Sequence, residues 1–193
     1  MTARTIRALD PSTWAAFADT VQHCDSFPSG CWCMGFHPEG LAKGADRVAV
    51  NRARKEQRVA TGTTHAALVF DDDTCVGWCQ FGPVDELPRI KNRATYDQTR
   101  TTGSDLPDWR IACCWVAKGH RRQGVAGAAL QGALDLIAGL GGGTVEGYPE
   151  PVGAVPPGFL YHGALSTYEQ LGFARDRMIG KHRWVVTRHV DPA

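Results

Sequence analysis

The 193-residue sequence carries almost no net charge: 21 Lys and Arg against 20 Asp and Glu leave a formal +1. That balance excludes a strongly basic nucleic-acid platform and a polyanionic partner surface, while leaving room for a local basic patch. Long hydrophobic runs are also missing. No stretch approaches the roughly 18 apolar residues of a membrane-spanning helix, and the N-terminal Met-Thr-Ala-Arg-Thr-Ile-Arg has no apolar signal-peptide core. The seven cysteines are odd in number and two are adjacent, which does not suit a secreted disulfide framework. The expectation is a cytoplasmic protein with no membrane partner. Internal repeats and low-complexity tracts are absent too. Disorder is excluded by six Trp, seven Phe and four Tyr.

What is there suits one α/β domain over residues 1–193, long enough to bury roughly 70% of its unfolded surface. Residues 3–8 alternate weakly and predict a strand. Asp10-Pro11 opens a helix whose buried face is Trp14, Phe17, Ala18 and Val21. A Pro-, Gly- and Cys-rich loop runs from His23 to Gly44, and 46–60 predicts a basic helix with Arg47, Arg52, Arg54, Lys55 and Arg58. Thr64–Phe70 and Cys75–Phe81 flank an Asp-rich turn and predict a hairpin. Residues 83–107 form a long polar connection of the kind used in lids and binding loops. Arg110–Val116 is an apolar strand, 124–139 a helix ended by Gly141-Gly142-Gly143, and Thr144–Tyr148 a short strand. A Pro/Gly loop over 149–158, a helix over 163–171 and a strand over 182–188 complete the chain.

The strand at 110–116 runs into Arg121-Arg122-Gln123-Gly124-Val125-Ala126-Gly127 and then a helix. A turn feeding a helix N-terminus aims several unpaired N–H groups in one direction, with the helix dipole behind them. Glycine admits a bulky anion close to the backbone, and two arginines add full charges. Such a segment predicts a pyrophosphate cradle. It lacks the Gly-Lys-Ser/Thr of a P-loop and the Gly-x-Gly-x-x-Gly of a dinucleotide fold.

Arg121-x-x-Gly124-x-Ala126 after Cys114-Trp115-Val116 resembles the acetyl-CoA signature of the GNAT N-acetyltransferase superfamily. Tyr168-Glu169-Gln170-Leu171-Gly172-Phe173 resembles that superfamily's Tyr-Glu-x-Leu-Gly-Phe segment. A narrower resemblance, to a largely bacterial GNAT-like group, rests on Cys31-Trp32-Cys33-Met34 and Glu146-Gly147-Tyr148-Pro149. The resemblance implies a GNAT-like fold, with a central mixed, twisted sheet and helices on both faces. It implies acetyl-CoA, or another acyl-CoA, as cosubstrate, no metal, and an amine acceptor that attacks the thioester directly. Cys114, Trp115 and Val116 would meet the pantetheine arm through their backbone. Arg121, Arg122, Gln123, Gly124, Val125, Ala126 and Gly127 would hold the pyrophosphate. Tyr168 stands where many members place the acid that protonates the leaving thiolate, and a phenol of pKa about 10 is a reasonable match for that role. The sequence departs from the family at Arg122, often Gly, and at Tyr161, often Asn.

A general base is also implied. Glu146 is the first candidate, with Asp108 and Glu86 behind it. Each residue has a plainer reading: Tyr168 as a core tyrosine, Glu146 as a carboxylate satisfied in the interior, and the basic helix as a solvated face. Trp32, Cys33, Trp78 and Tyr148 are candidates to line the acceptor pocket, although aromatic side chains are also core formers. Cys24, Cys31, Cys33 and His37 invite a zinc reading, but Cys-x-Cys is not the usual ligand spacing. Cys113 and Cys114, adjacent on a strand, face opposite ways. A small amine is the expected acceptor, with a carrier protein or tRNA docking on the basic helix as the alternative, or a non-catalytic CoA-binding module. The chain is expected as monomer or homodimer.

Overall fold

Seven strands form one sheet, in the order across it Thr5–Ala8, His65–Asp71, Thr74–Pro83, Trp109–Val116, Gly143–Gly147, Trp184–Val190, Ala174–Met178. In this computed structural model the residues described are 4–24, 30–101, 105–156 and 160–193. Parts of the expected loops, including Gly103, and the start of the first strand lie outside them. The strands are β1 (Thr5–Ala8), β2 (His65–Asp71), β3 (Thr74–Pro83), β4 (Trp109–Val116), β5 (Gly143–Gly147), β6 (Ala174–Met178) and β7 (Trp184–Val190). The helices are α1 (Trp14–Gln22), α2 (Arg47–Ala60), α3 (Arg93–Thr99), α4 (Val125–Gly139) and α5 (Leu165–Gln170). No helix among the described residues is long and apolar enough to cross a membrane.

Local chemistry explains most of these boundaries. Asp10 Oδ1 accepts from the backbone N–H of Ser12 at 2.7 Å and Thr13 at 3.1 Å, turning the chain into α1. Asp72 takes φ +53° in the β2–β3 turn, a left-handed conformation that aspartate tolerates. Two elements differ from expectation. The polar connection 83–107 contains α3, whose one buried residue, Tyr96, gives no helical stripe to read. Strand β6 is the charge-rich edge sequence Ala-Arg-Asp-Arg-Met, almost wholly exposed.

Helices cover both faces. On one, α4 and α5 bury Val125, Ala129, Leu130, Ala133, Leu134, Ile137, Leu165 and Tyr168 against Ala67, Val69, Cys79, Ile111 and Val145. On the other, α1 and α2 bury Phe17, Val21 and Val59 with Trp32, Met34, Leu68 and Trp78. Cys113 packs into the second core and Cys114 against the first, as neighbours on a strand must. Lys55 corrects the reading of α2 as a simply solvated basic face. It is 1% exposed and its ammonium donates to Thr64 Oγ1 at 2.7 Å. That hydroxyl meets His37 Nε2 at 3.2 Å, Gln80 Nε2 donates to the same nitrogen at 2.9 Å, and His37 Nδ1 meets the Glu86 carbonyl at 3.2 Å. Both ring nitrogens of His37 are therefore committed to this network.

One irregularity positions the site. Gln80 pairs with Cys113 while Phe81 pairs with Ile111, so Ala112 is an extra residue on β4. A bulge bends its strand and interrupts pairing. Strand β4 pairs with β5 in parallel only through Trp109, Arg110 and Ile111, opposite Val145, Glu146 and Gly147. Beyond the bulge the two strands part.

Candidate active site

The turn after β4 builds a cavity of about 350 Å³. Val116, Arg121, Arg122, Gly124, Val125, Ala126 and Gly127 line it, joined by His120 and by Thr167 and Gln170 of α5. Gly124 precedes α4 with φ +81°, and a side chain there would meet nothing within 4 Å, so its glycine answers to backbone conformation alone. Arg122 adopts φ +59°, which accounts for the glycine often found at this place in the resembling family. No side chain caps α4 and no acidic residue sits in its first turn. Its leading N–H groups thus face the cavity with the dipole behind them. This fits a pyrophosphate.

Arg121 Nε donates to the Val116 carbonyl at 3.2 Å, linking the turn to the strand. Gln123 lies outside the cavity; its side chain donates to the Gly119 carbonyl at 2.9 Å, and its carbonyl and Oε1 accept from Arg4 at 2.5 and 2.9 Å. No motif marks Thr167, and Gln170 enters only as the variable position of the Tyr168–Phe173 segment. Their spacing of three on α5 would bring them to one face beside Tyr168.

Past the bulge, the gap between β4 and β5 is bridged by the segment leading into α5. The Cys114 N–H donates to the Tyr161 carbonyl at 2.6 Å. The Tyr168 hydroxyl donates to the His162 carbonyl at 3.0 Å. Tyr168 is fully buried, its ring lying over Gly147, where a side-chain carbon would come within 2.4 Å of Cε1. Burial, reinforced by the neighbouring Cys114 thiol, raises its pKa well above the ordinary phenol value. Cys114 Sγ lies 3.4 Å from Cys79 Sγ on the adjoining strand.

Glu146 is 3% exposed. Its Oε2 accepts from Tyr96 Oη at 2.9 Å and Tyr148 Oη at 2.7 Å, and Arg177 stands 3.8 Å from Oε1. Both phenols have raised pKa values, through burial and then the Glu146 charge. The other two base candidates hold structure: Asp108 Oδ2 accepts from the Thr144 N–H at 2.7 Å, and Glu86 Oε2 meets His65 Nδ1 at 2.9 Å.

Trp32, Cys33 and Trp78 lie in the second core, 1%, 3% and 4% exposed. Trp78 stacks on Trp115 with ring centroids 4.6 Å apart. A larger cavity, about 530 Å³, opens instead beyond β5, between Lys91, Asn92, Glu150, Val155, Pro156, Tyr161 and Arg183. Its residues come from three distant stretches of chain, which no local pattern announces. Among the described residues no group of three His, Cys, Asp or Glu could hold a metal ion.

Comparison with known proteins agrees with this geometry. No curated protein sequence matches the chain. Among solved structures, the mosquito arylalkylamine N-acetyltransferase like 5b aligns with TM-score 0.57 and 12% identity, covering 97% of this chain and 100% of that one. The GNAT family N-acetyltransferase YhbS from Escherichia coli, solved with CoA, aligns with TM-score 0.55 and 16% identity over 98% and 83%. Arabidopsis thaliana NAA60, solved with acetyl-CoA, aligns with TM-score 0.52 and 14% identity over 97% and 100%. These likenesses establish a GNAT fold. The family model described as "Acetyltransferase (GNAT) family" matches residues 30–147, and the chain belongs to that family.

Proposed function

We propose that the protein transfers an acyl group, acetyl from acetyl-CoA, to a primary amine of a small acceptor. The observation that carries the reading is the uncapped start of α4, with Arg121 and Arg122 on one cavity whose far wall is the helix bearing Tyr168. Two structural relatives were solved with CoA or acetyl-CoA, which supports the same donor.

The donor supplies the acyl group as a thioester. The N–H groups opening α4 and the two arginines hold its pyrophosphate, and β4 beyond Ala112, where β5 no longer pairs with it, receives its pantetheine arm through Cys114, Trp115 and Val116 as the Cys114 N–H gives up the Tyr161 carbonyl. The acceptor nitrogen forms the C–N bond as the C–S bond breaks, and the electron pair passes to sulfur. Tyr168 keeps its proton at Oη until the thiolate departs, because burial favours the neutral phenol. Glu146 is the candidate for the proton released from nitrogen.

Docking of a carrier protein or tRNA on α2 draws less support. Arg58 pairs with Glu39 at 2.8 Å, Arg52 with Glu56 at 3.3 Å, and Lys55 is buried. Calorimetric titration with acetyl-CoA, followed by thiol release over an amine panel, is the test. Absence of CoA binding defeats the proposal, and binding with no release on any amine favours a non-catalytic module.

A further inference from the structure

The 530 Å³ cavity is a built site. Its anchor is Arg183, 8% exposed, which donates to Glu150 Oε1 at 3.2 Å and to Asn92 Oδ1 at 3.0 Å. Asn92 offers that oxygen from a left-handed backbone, φ +57°. The guanidinium is thereby locked from two sides, yet its Nε–H is buried without a partner. Such an orphaned donor on a buried cation asks for an explanation. Lys91 completes the charge set, its ammonium 5.6 Å above the Tyr161 ring. The ionised side chains lining the cavity are therefore two cations and one carboxylate.

The cavity's position ties it to the reaction. Tyr161 forms part of its wall, and the same residue's carbonyl sits on the Cys114 N–H. One residue thus separates the cavity from the strand that would carry the donor's arm. The volume lies in the range of small-ligand pockets.

We propose that this cavity holds the acceptor, and that the acceptor is an amine bearing a carboxylate, as in a free amino acid, with the carboxylate read by Lys91 and Arg183. The surplus of one positive charge matches a single carboxylate better than a doubly charged phosphate. Glu150 fixes the guanidinium, and the amine end lies toward the backbone of Tyr161, whose carbonyl meets the Cys114 N–H. In the reaction the amine loses one proton and the thiolate gains one, so none is gained or lost overall. The inference rests on the acyltransferase reading.

The test compares matched acceptors: amino acids, their carboxamides, their decarboxylated amines and aminoalkyl phosphates. The measurements are thiol release with acetyl-CoA and calorimetric binding to the protein alone. A charge-assisted contact predicts a preference for acid over amide of about tenfold or more in kcat/KM. Lys91→Ala should bring that ratio toward one by raising the acceptor KM, with Lys91→Arg restoring it. Amides or plain amines used as well as the acids overturn the proposal, as does a phosphate preferred over the carboxylate. Thiol release confined to uncharged amines leaves the acyltransferase reading standing and removes this one. If acetyl-CoA does not bind, that reading falls and the binding arm decides the cavity alone. A tenfold preference for acid over amide there supports it, and equal or absent binding overturns it.

Discussion

The hydroxyl of Tyr168 donates to the carbonyl of His162 at 3.0 Å, and the carbonyl immediately before it, that of Tyr161, takes the Cys114 N–H. Two groups that the family resemblance assigns to the donor, Tyr168 to its leaving thiolate and Cys114 to its pantetheine arm, are thus satisfied by consecutive carbonyls of the protein itself. A donor that engages them must exchange those contacts for its own. The exchange is close to even in hydrogen bonds, since each side gives up one partner and finds another.

Tyr168→Phe should lower kcat by roughly 10²-fold or more, with the KM for acetyl-CoA nearly unchanged, if the phenol protonates the leaving thiolate. The lost hydrogen bond should cost about 1 kcal/mol of stability. Steady-state kinetics decides the matter, and activity within twofold of the parent returns Tyr168 to a packing role.

Arg121→Glu places a carboxylate against the cavity at the head of α4. It should raise the KM for acetyl-CoA more than it lowers kcat. A KM equal to the parent's contradicts the pyrophosphate assignment. Gly124→Ala probes the backbone at the same place: at φ +81° a side chain costs about 1–2 kcal/mol, although no atom stands in its way. Thermal melts should register that loss.

Glu146→Gln tests the proton acceptor. Loss of the acidic limb of the pH–rate profile is the expected result, and an unaltered profile removes Glu146 from that role. The two phenols can still donate to the amide oxygen, but the amide N–H₂ faces Arg177, so a stability loss of about 1–3 kcal/mol accompanies the change.

Two histidines tie stability to pH. Burial, with the Arg183 charge nearby, pushes His162 down to about 3, and burial, with the Lys55 charge, pushes His37 down to about 2. Unfolded, each titrates near 6.5. Below about pH 6.5 the unfolded chain binds protons that the folded chain refuses, so stability falls as pH falls, by up to about 1.4 kcal/mol per pH unit for each histidine. Denaturant midpoints between pH 7.5 and 5 measure this slope. His162→Phe should roughly halve it, leaving the share that belongs to His37. A midpoint constant across that range contradicts the account.

The hairpin, β4 and α4 were readable because their signals are local: Asp-rich turn chemistry, an apolar run, and a helical stripe after a glycine. The turn at Arg121–Gly127 that leads into α4 was readable for the same reason. Tyr96 was not, since a seven-residue helix with one buried side chain carries no period. Nor was β6, which earns its place by pairing with β7 rather than by its own composition. Trp32 and Trp78 show the ambiguity of aromatics: surplus apolar area near a presumed pocket serves the core equally well. The carbonyls of Tyr161 and His162 belong to closure between distant segments, where side-chain identity leaves no trace.

The parting of β4 from β5 makes the sheet two antiparallel plates, β1–β4 and β5–β7, hinged on a parallel seam of three residue pairs. In mechanical terms that seam is the compliant line of the molecule. A load between the plates falls on those rungs, on the Cys114–Tyr161 bond and on the helices that straddle the joint. A ligand that laces the open part of the seam would stiffen the whole sheet, so amide exchange in β6 and β7, remote from the slot, should slow when it is filled.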